Sequence, residues 1–267
     1  MSSTLAAVRS AVAAVEKHRH ILWALLMREM ATRYGRDNIG FLWVIAEPII
    51  FGSAVSTLYS FIRPPFDAGI RVVAFTITGY MPMILFRQSV NYAVSSVRSN
   101  TGLLYHRQIS PMHLFLARFL MEFCGVTLAY IFIVLFANFL GKIDMPKDML
   151  YLTTGWIILA LQACGVAMVM NALSEIFDVV ERFVQVFTYI FIPISGFMFL
   201  VYTLPPKLQQ WALMVPFVHC FEMMRGGYFG EFLPVHFNVS YAMAWALGFN
   251  AIGLLLMQFV RPKVEVI

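Results

Sequence analysis

Six apolar runs, each long enough to cross a bilayer, constrain this chain more than any other feature of its sequence. A spanning helix needs about 20 mainly apolar residues, because each residue advances it by about 1.5 Å and the hydrocarbon core is about 30 Å thick. The runs cover 39–62, 72–97, 112–140, 149–173, 183–203 and 237–260. Inside lipid every backbone N–H and C=O must find its partner within the chain, so the runs are read as helices and the fold as all-α and integral to the membrane. Composition agrees. Of 267 residues, 60% are apolar and 12% are charged, about half the charged share of an ordinary soluble domain. A soluble chain of this size lacks the interior to hide so much apolar surface.

The links carry turn chemistry. Arg63-Pro64-Pro65-Phe66-Asp67 follows the first run, and Gly141 to Pro146 follows the third. Ser174 to Arg182 is read as a polar link carrying Glu175, Asp178 and Glu181. Two segments do not fit simple spanning. Over 18–36, Leu22, Leu25, Leu26 and Met30 recur at helical spacing while Arg28, Thr32 and Arg36 fall on another face, which predicts an interfacial helix. Its amphipathicity is imperfect, because Glu29 and Arg33 fall near the apolar stripe. Over 204–236, the apolar piece Trp211–Phe221 is short and split by Pro216, which predicts a re-entrant helical hairpin between spans five and six.

Lys and Arg set the orientation. With the N-terminus cytoplasmic, Arg9, Lys17, Arg19, Arg28, Arg33, Arg36, Arg98, Arg107, Arg118, Arg182, Arg261 and Lys263 fall inside. Arg63, Arg71, Lys142, Lys147, Lys207 and Arg225 fall outside. The two-to-one bias predicts cytoplasmic N- and C-termini, and it accounts for the net charge of +5 without nucleic acid. No apolar core ending at a small-residue cleavage site occurs in the first twenty residues, so no cleaved signal peptide is expected.

Enzyme signatures are missing. The sequence has no GxxxxGK[ST] phosphate loop, no HExxH and no GxSxG. Cys124, Cys164 and Cys220 are far apart in apolar segments and suggest neither a disulfide framework nor a metal site. No cofactor of the chain's own is expected.

Charges within the runs are costly and mark candidate function. Glu47 lies about 12 Å into the first span and Arg87 about 15 Å into the second from the same side. The matched depth predicts a shared polar layer, with an ion pair as its simplest form. Arg118 and Glu122 are four apart on the third span. Either they neutralise each other locally, or all four residues ring the mouth of a wet conduit. A proton relay through Glu47, Arg87 and Glu122 keeps an ion-coupled carrier open as an alternative, and a membrane-embedded glycolipid enzyme is a second.

Leu26-Met27-Arg28-Glu29-Met30-Ala31-Thr32-Arg33-Tyr34-Gly35, then Leu42-Trp43-Val44-Ile45-Ala46-Glu47-Pro48, resembles the opening of ABC-2 type permeases. The likeness is greatest to the capsular polysaccharide export permeases of Gram-negative bacteria. Asn100 to Pro111 resembles the family's cytoplasmic link between spans two and three. Pro216-Phe217-Val218-His219-Cys220-Phe221-Glu222-Met223-Met224-Arg225 resembles its periplasmic segment, with Val215 where an Asn usually stands.

The resemblance implies one ABC-2 type transmembrane domain over 1–267 in the bacterial inner membrane. It implies a homodimer working with two copies of a separate cytoplasmic ATPase, which binds the ATP and magnesium. The cargo it implies is a lipid-linked polysaccharide. Further implied partners are a periplasmic co-polymerase-like protein and an outer-membrane polysaccharide export pore. Onto this chain it maps head-group recognition at Arg28, Arg33, Tyr34 and Arg36, although cations there attract anionic lipid in any case. It places ATPase coupling at Leu103, Tyr105, Arg107, Glu175 and Asp178. A periplasmic gate falls at Trp211, Pro216, His219, Glu222 and Arg225.

Overall fold

The computed structural model describes residues 2–34, 40–62, 66–67, 70–94, 96–104 and 109–264. These form ten helices among the described residues: α1 Ser2–Tyr34, α2 Gly40–Ile62, α3 Val72–Val94, α4 Thr101–Leu104, α5 Pro111–Phe139, α6 Met149–Ile176, α7 Asp178–Ile194, α8 Pro206–Ala212, α9 Pro216–Phe229 and α10 Val239–Val264. The β structure described is one antiparallel pair of two-residue strands, Phe66–Asp67 and Ile70–Arg71.

Among the described residues, three helices are long and apolar enough to cross a membrane: α5, α6 and the Val239–Phe259 stretch of α10. They match the expected third, fourth and sixth runs to within a few residues. The interfacial helix expected over 18–36 is the second half of a longer helix, because no Pro or Gly interrupts the chain between Ser2 and Tyr34. The fifth run differs more. The segment 178–182, expected as a polar link, is the first turn of α7. That helix ends at Ile194 rather than near 203. Phe177 alone breaks the chain between α6 and α7, in an extended conformation (φ −130°, ψ 112°). Asp178 and Glu181 sit in the first turn of α7, where the helix dipole favours negative charge.

Local chemistry sets the ends of these helices. Asp148 caps α6, its carboxylate accepting from the N–H groups of Leu150 and Tyr151. Ser110 and His113 form a capping box at the start of α5, with Pro111 in the first turn. Pro206 and Pro216 open α8 and α9. Gly230, at φ 67°, closes α9 in a conformation that a side chain would strain.

Helix α6 is the hub, packed against α3, α9 and α10. Small residues let backbones approach, as in other membrane bundles. A Cβ on Gly165 would stand 2.7 Å from the backbone N of Asn250 on α10, and one on Gly155 would stand 3.1 Å from Cys220 O on α9. Helix α1 lies outside this core against α5 and α2. Its Leu25 packs with Leu114 and Ala117.

Helix α9 has 14 residues, about 21 Å, too short to cross a bilayer. It is buried from Phe217 to Tyr228. The short exposed α8 precedes it. The segment 204–236, expected as a re-entrant hairpin, holds the two short helices α8 and α9, with α9 sunk into the bundle.

Candidate functional site

Polar side chains gather at the two ends of the bundle. One end holds the α6–α7 junction, the C-terminus of α3 and the N-terminus of α5. There Arg98, in the 3-10 turn Arg98–Asn100, ties that turn to the junction. Its guanidinium donates to Asp178 at 2.6 Å and to the carbonyl of Ser174 at 2.7 Å, with Glu181 at 3.4 Å and Glu175 at 3.9 Å. The hydrogen bond to Asp178 pushes the Arg98 pKa up, against an opposing effect of partial burial. On the other side of the same turn, Arg28 of α1 donates to Asn100 Oδ1 at 2.7 Å. Asn100 in turn donates to Ser96 O.

Two more bonds fasten α1. Arg118 of α5 donates to Glu29 at 2.7 Å and to the Tyr92 carbonyl at 3.0 Å. His18 Nδ1 lies 2.7 Å from His113 Nε2, and His113 is in turn bonded to Ser110. The three-residue turn is thus tied to α1, α6 and α7, and Arg118 separately ties α5 to α1 and α3. The 98–100 turn is therefore bonded to both α1 and the α6–α7 junction.

Several expected residues take places the sequence did not suggest. Leu103, expected to face an ATPase, turns inward with Leu104 onto the Leu25–Leu114 cluster. The side chain of Glu175 is only 10% exposed, whereas that of Asp178 is 85% exposed and bonded to Arg98. Tyr105, Arg107 and Arg36, and the side chains of Arg33 and Tyr34, lie outside the described residues.

The expected Glu47–Arg87 ion pair is absent among the described residues. Arg87 lies instead over the Tyr189 ring, 5.4 Å from its centroid, and Glu47 is half-buried one residue before Pro48 of α2. Glu122 is buried on α5. Its neighbour Arg118 is directed across to α1 rather than serving only a local pair. Glu29 and Arg98 were not expected as site residues. The placement of Glu29 near the apolar stripe of α1 was the available signal, because a charge on a buried face demands a partner.

The opposite end is organised by α9. Arg225, with no exposed surface, donates to the carbonyls of Gly196 (2.7 Å), Phe197 (2.6 Å) and Phe199 (2.6 Å) in the loop after α7. The Phe75 ring of α3 lies 4.3 Å from the guanidinium carbon. Glu222, one turn earlier, accepts from the N–H groups of Val201 and His236, both at 3.2 Å. His219 bonds through Nε2 to Leu213 O at 2.8 Å, and its Nδ1 accepts from Asn238 N–H at 3.0 Å. A nitrogen that accepts carries no proton, so His219 is the neutral Nε2–H tautomer. The three expected gate residues thus stitch α9 to the loops on either side of it. Pro216 starts the helix, and Trp211 on α8 is 70% exposed.

Among the described residues no group of three or more His, Cys, Asp or Glu is arranged to hold a metal.

The sequence model of the ABC-2 type transporter family matches residues 20–229. The chain is 38% identical over 247 residues to the capsule polysaccharide export inner-membrane protein CtrC of Neisseria meningitidis serogroup B, covering 92% of this chain and 93% of the relative. It is 33% identical to the capsule polysaccharide export inner-membrane protein BexB of Haemophilus influenzae, over 92% of each. It is 25% identical to the polysialic acid transport protein KpsM of Escherichia coli, over 87% of this chain and 90% of the relative.

Proposed function

This chain belongs to the ABC-2 type transporter family, and we propose that it is the membrane subunit of an exporter that moves a lipid-linked capsular polysaccharide across the bacterial inner membrane. The observation that carries this reading is similarity to capsule export proteins along nearly the whole length of both chains. ATP hydrolysis then falls to a separate subunit with its own magnesium site, since this sequence has no phosphate loop.

In this reading helices α2, α3, α5, α6, α7 and α10 are the six spans, and both termini are cytoplasmic. The Arg98 end then faces the ATPase. The 98–111 segment is its docking element, and Arg98 passes its movement to α7 and, through Asn100 and Arg28, to α1. The α8–α9 hairpin closes the periplasmic side. Two copies of the chain pair with two ATPase subunits, and a periplasmic co-polymerase-like protein and an outer-membrane pore receive the polymer. Arg33, Tyr34 and Arg36 meet the anionic head group of the cargo.

Deleting the chain from its host tests the proposal. Polysaccharide is expected to accumulate inside the cell and to return to the surface on complementation. Normal surface polysaccharide in the deletion strain overturns it.

A further inference from the structure

A crevice of about 880 Å³ opens between α2, the start of α3 and the end of α5. It plays no part in the network at the Arg98 end or in the stitching of α9. Its walls run along α2 from Ile49 to Phe61, about 18 Å of helix. That depth is close to one leaflet, since half of the hydrocarbon core is about 15 Å. The walls are mainly apolar, with Ile77 of α3 and Ile133 of α5 on the inner side and Phe132 and Phe136 on the outer edge.

Two features mark the crevice as more than a lipid-facing groove. Cations stand at its mouth, where α5 ends and α3 begins: Arg71 and the exposed Lys142 both line it. Arg71 donates to Gly141 O and lies 3.6 Å from the exposed carboxylate of Asp144, and the Lys142 ammonium stands beside them. Deeper, Ser56 also lines the crevice. It is 6% exposed, and its hydroxyl has no hydrogen-bond partner. A buried hydroxyl without a partner is costly, and an acceptor within the crevice removes that cost.

We propose that this crevice binds one anionic bilayer phospholipid, its phosphate at Lys142 and Arg71, its ester oxygens within reach of Ser56, and its acyl chains between α2 and α5. The apolar walls select a tailed ligand, and the positive mouth selects a negative head. The inference concerns a resident lipid of the leaflet at the α8–α9 end, and it stands whatever cargo the exporter carries.

The test uses the full chain, purified in detergent, stripped of lipid, and titrated in mixed micelles while intact mass reports bound molecules. Phosphatidylglycerol is expected to bind once per chain and more tightly than phosphatidylcholine. Lys142→Gln, an exposed change that leaves the core alone, should weaken phosphatidylglycerol about fivefold, as one cation near an anionic head does, and weaken phosphatidylcholine less, because its choline cation already offsets the phosphate that both lipids carry. Ser53→Trp, placed to fill the crevice, should abolish both. Glycerol phosphate and inorganic phosphate, which lack tails, should neither bind nor compete. Equal binding of the two lipids, wild-type binding by Lys142→Gln, or displacement by inorganic phosphate overturns the proposal. So does a protein that retains no lipid but dimerises less well as Ser53→Trp, because the crevice is then an interface between copies. If Ser53→Trp does not fold, the Lys142→Gln and phosphate arms decide alone.

Discussion

Arg118 of α5 holds Glu29 of α1 through Nε at 2.7 Å from Oε1, with the two side chains 14% and 10% exposed. The pair explains why a charged residue stands near the apolar stripe of an amphipathic helix. It fastens α1 to the bundle by a bond that neither helix makes alone.

Removing one partner of this pair leaves a buried charge. Glu29→Leu alone should destabilise the protein by about 3 kcal/mol, whereas Glu29→Leu with Arg118→Met should recover part of the loss, the remainder being the Tyr92 carbonyl that Arg118 also holds. Unfolding of the four proteins of this cycle in one detergent gives the coupling. Additive losses count against the pair as a fastener.

The Arg98 cluster predicts a different signature. The Arg98 side chain is 36% exposed, and ion pairs of that kind contribute about 1 kcal/mol or less. Arg98→Ala should therefore leave stability and assembly with the ATPase nearly unchanged while reducing surface polysaccharide. Arg98→Glu combined with Asp178→Lys should restore part of the export that Arg98→Glu alone loses. Full export by Arg98→Ala counts against a transmission role.

Arg225 satisfies three backbone carbonyls at once. Arg225→Met leaves them unpaired in a buried loop and should cost about 3 kcal/mol or more. Arg225→Lys should rescue little, since a compact ammonium on a flexible stem does not reproduce the planar fork. Thermal unfolding followed by tryptophan fluorescence compares the three proteins.

Two glycines form a matched test of backbone approach. Gly165→Ala places a methyl group 2.7 Å from the backbone of α10 and should destabilise by about 1–3 kcal/mol. Gly248→Ala, on α10 itself, meets nothing within 4 Å and should be neutral or stabilising by up to about 1 kcal/mol. Equal effects at the two positions contradict the packing of α6 on α10.

Much of the architecture was legible because lipid solvation leaves a long one-dimensional trace. The runs at 112–140, 149–173 and 237–260 became α5, α6 and α10 with small shifts at their ends. The short apolar piece after Trp211, split by Pro216, became the non-spanning α8 and α9. Partnerships between side chains were less legible. Glu47 and Arg87 were matched by depth along separate helices, but depth says nothing of rotation about each helix axis, and Arg87 faces Tyr189 instead. Arg98 looked like one more positive charge on a link. Its meeting with Asp178 depends on where the far end of α6 comes to rest, 80 residues later in the chain.

By itself the sequence determined the solvent of this protein, the helical state of its long runs and most of its breaks, the α6–α7 junction and the end of α7 excepted. Those follow from residue composition and period, which act over a few turns of helix. The tertiary structure decided which charges neutralise one another, which face of α1 is buried, and that His219, Glu222 and Arg225 stitch loops together at the α8–α9 end. Those choices rest on helix rotation and on contacts between residues tens of positions apart, and only packing around α6 fixes them.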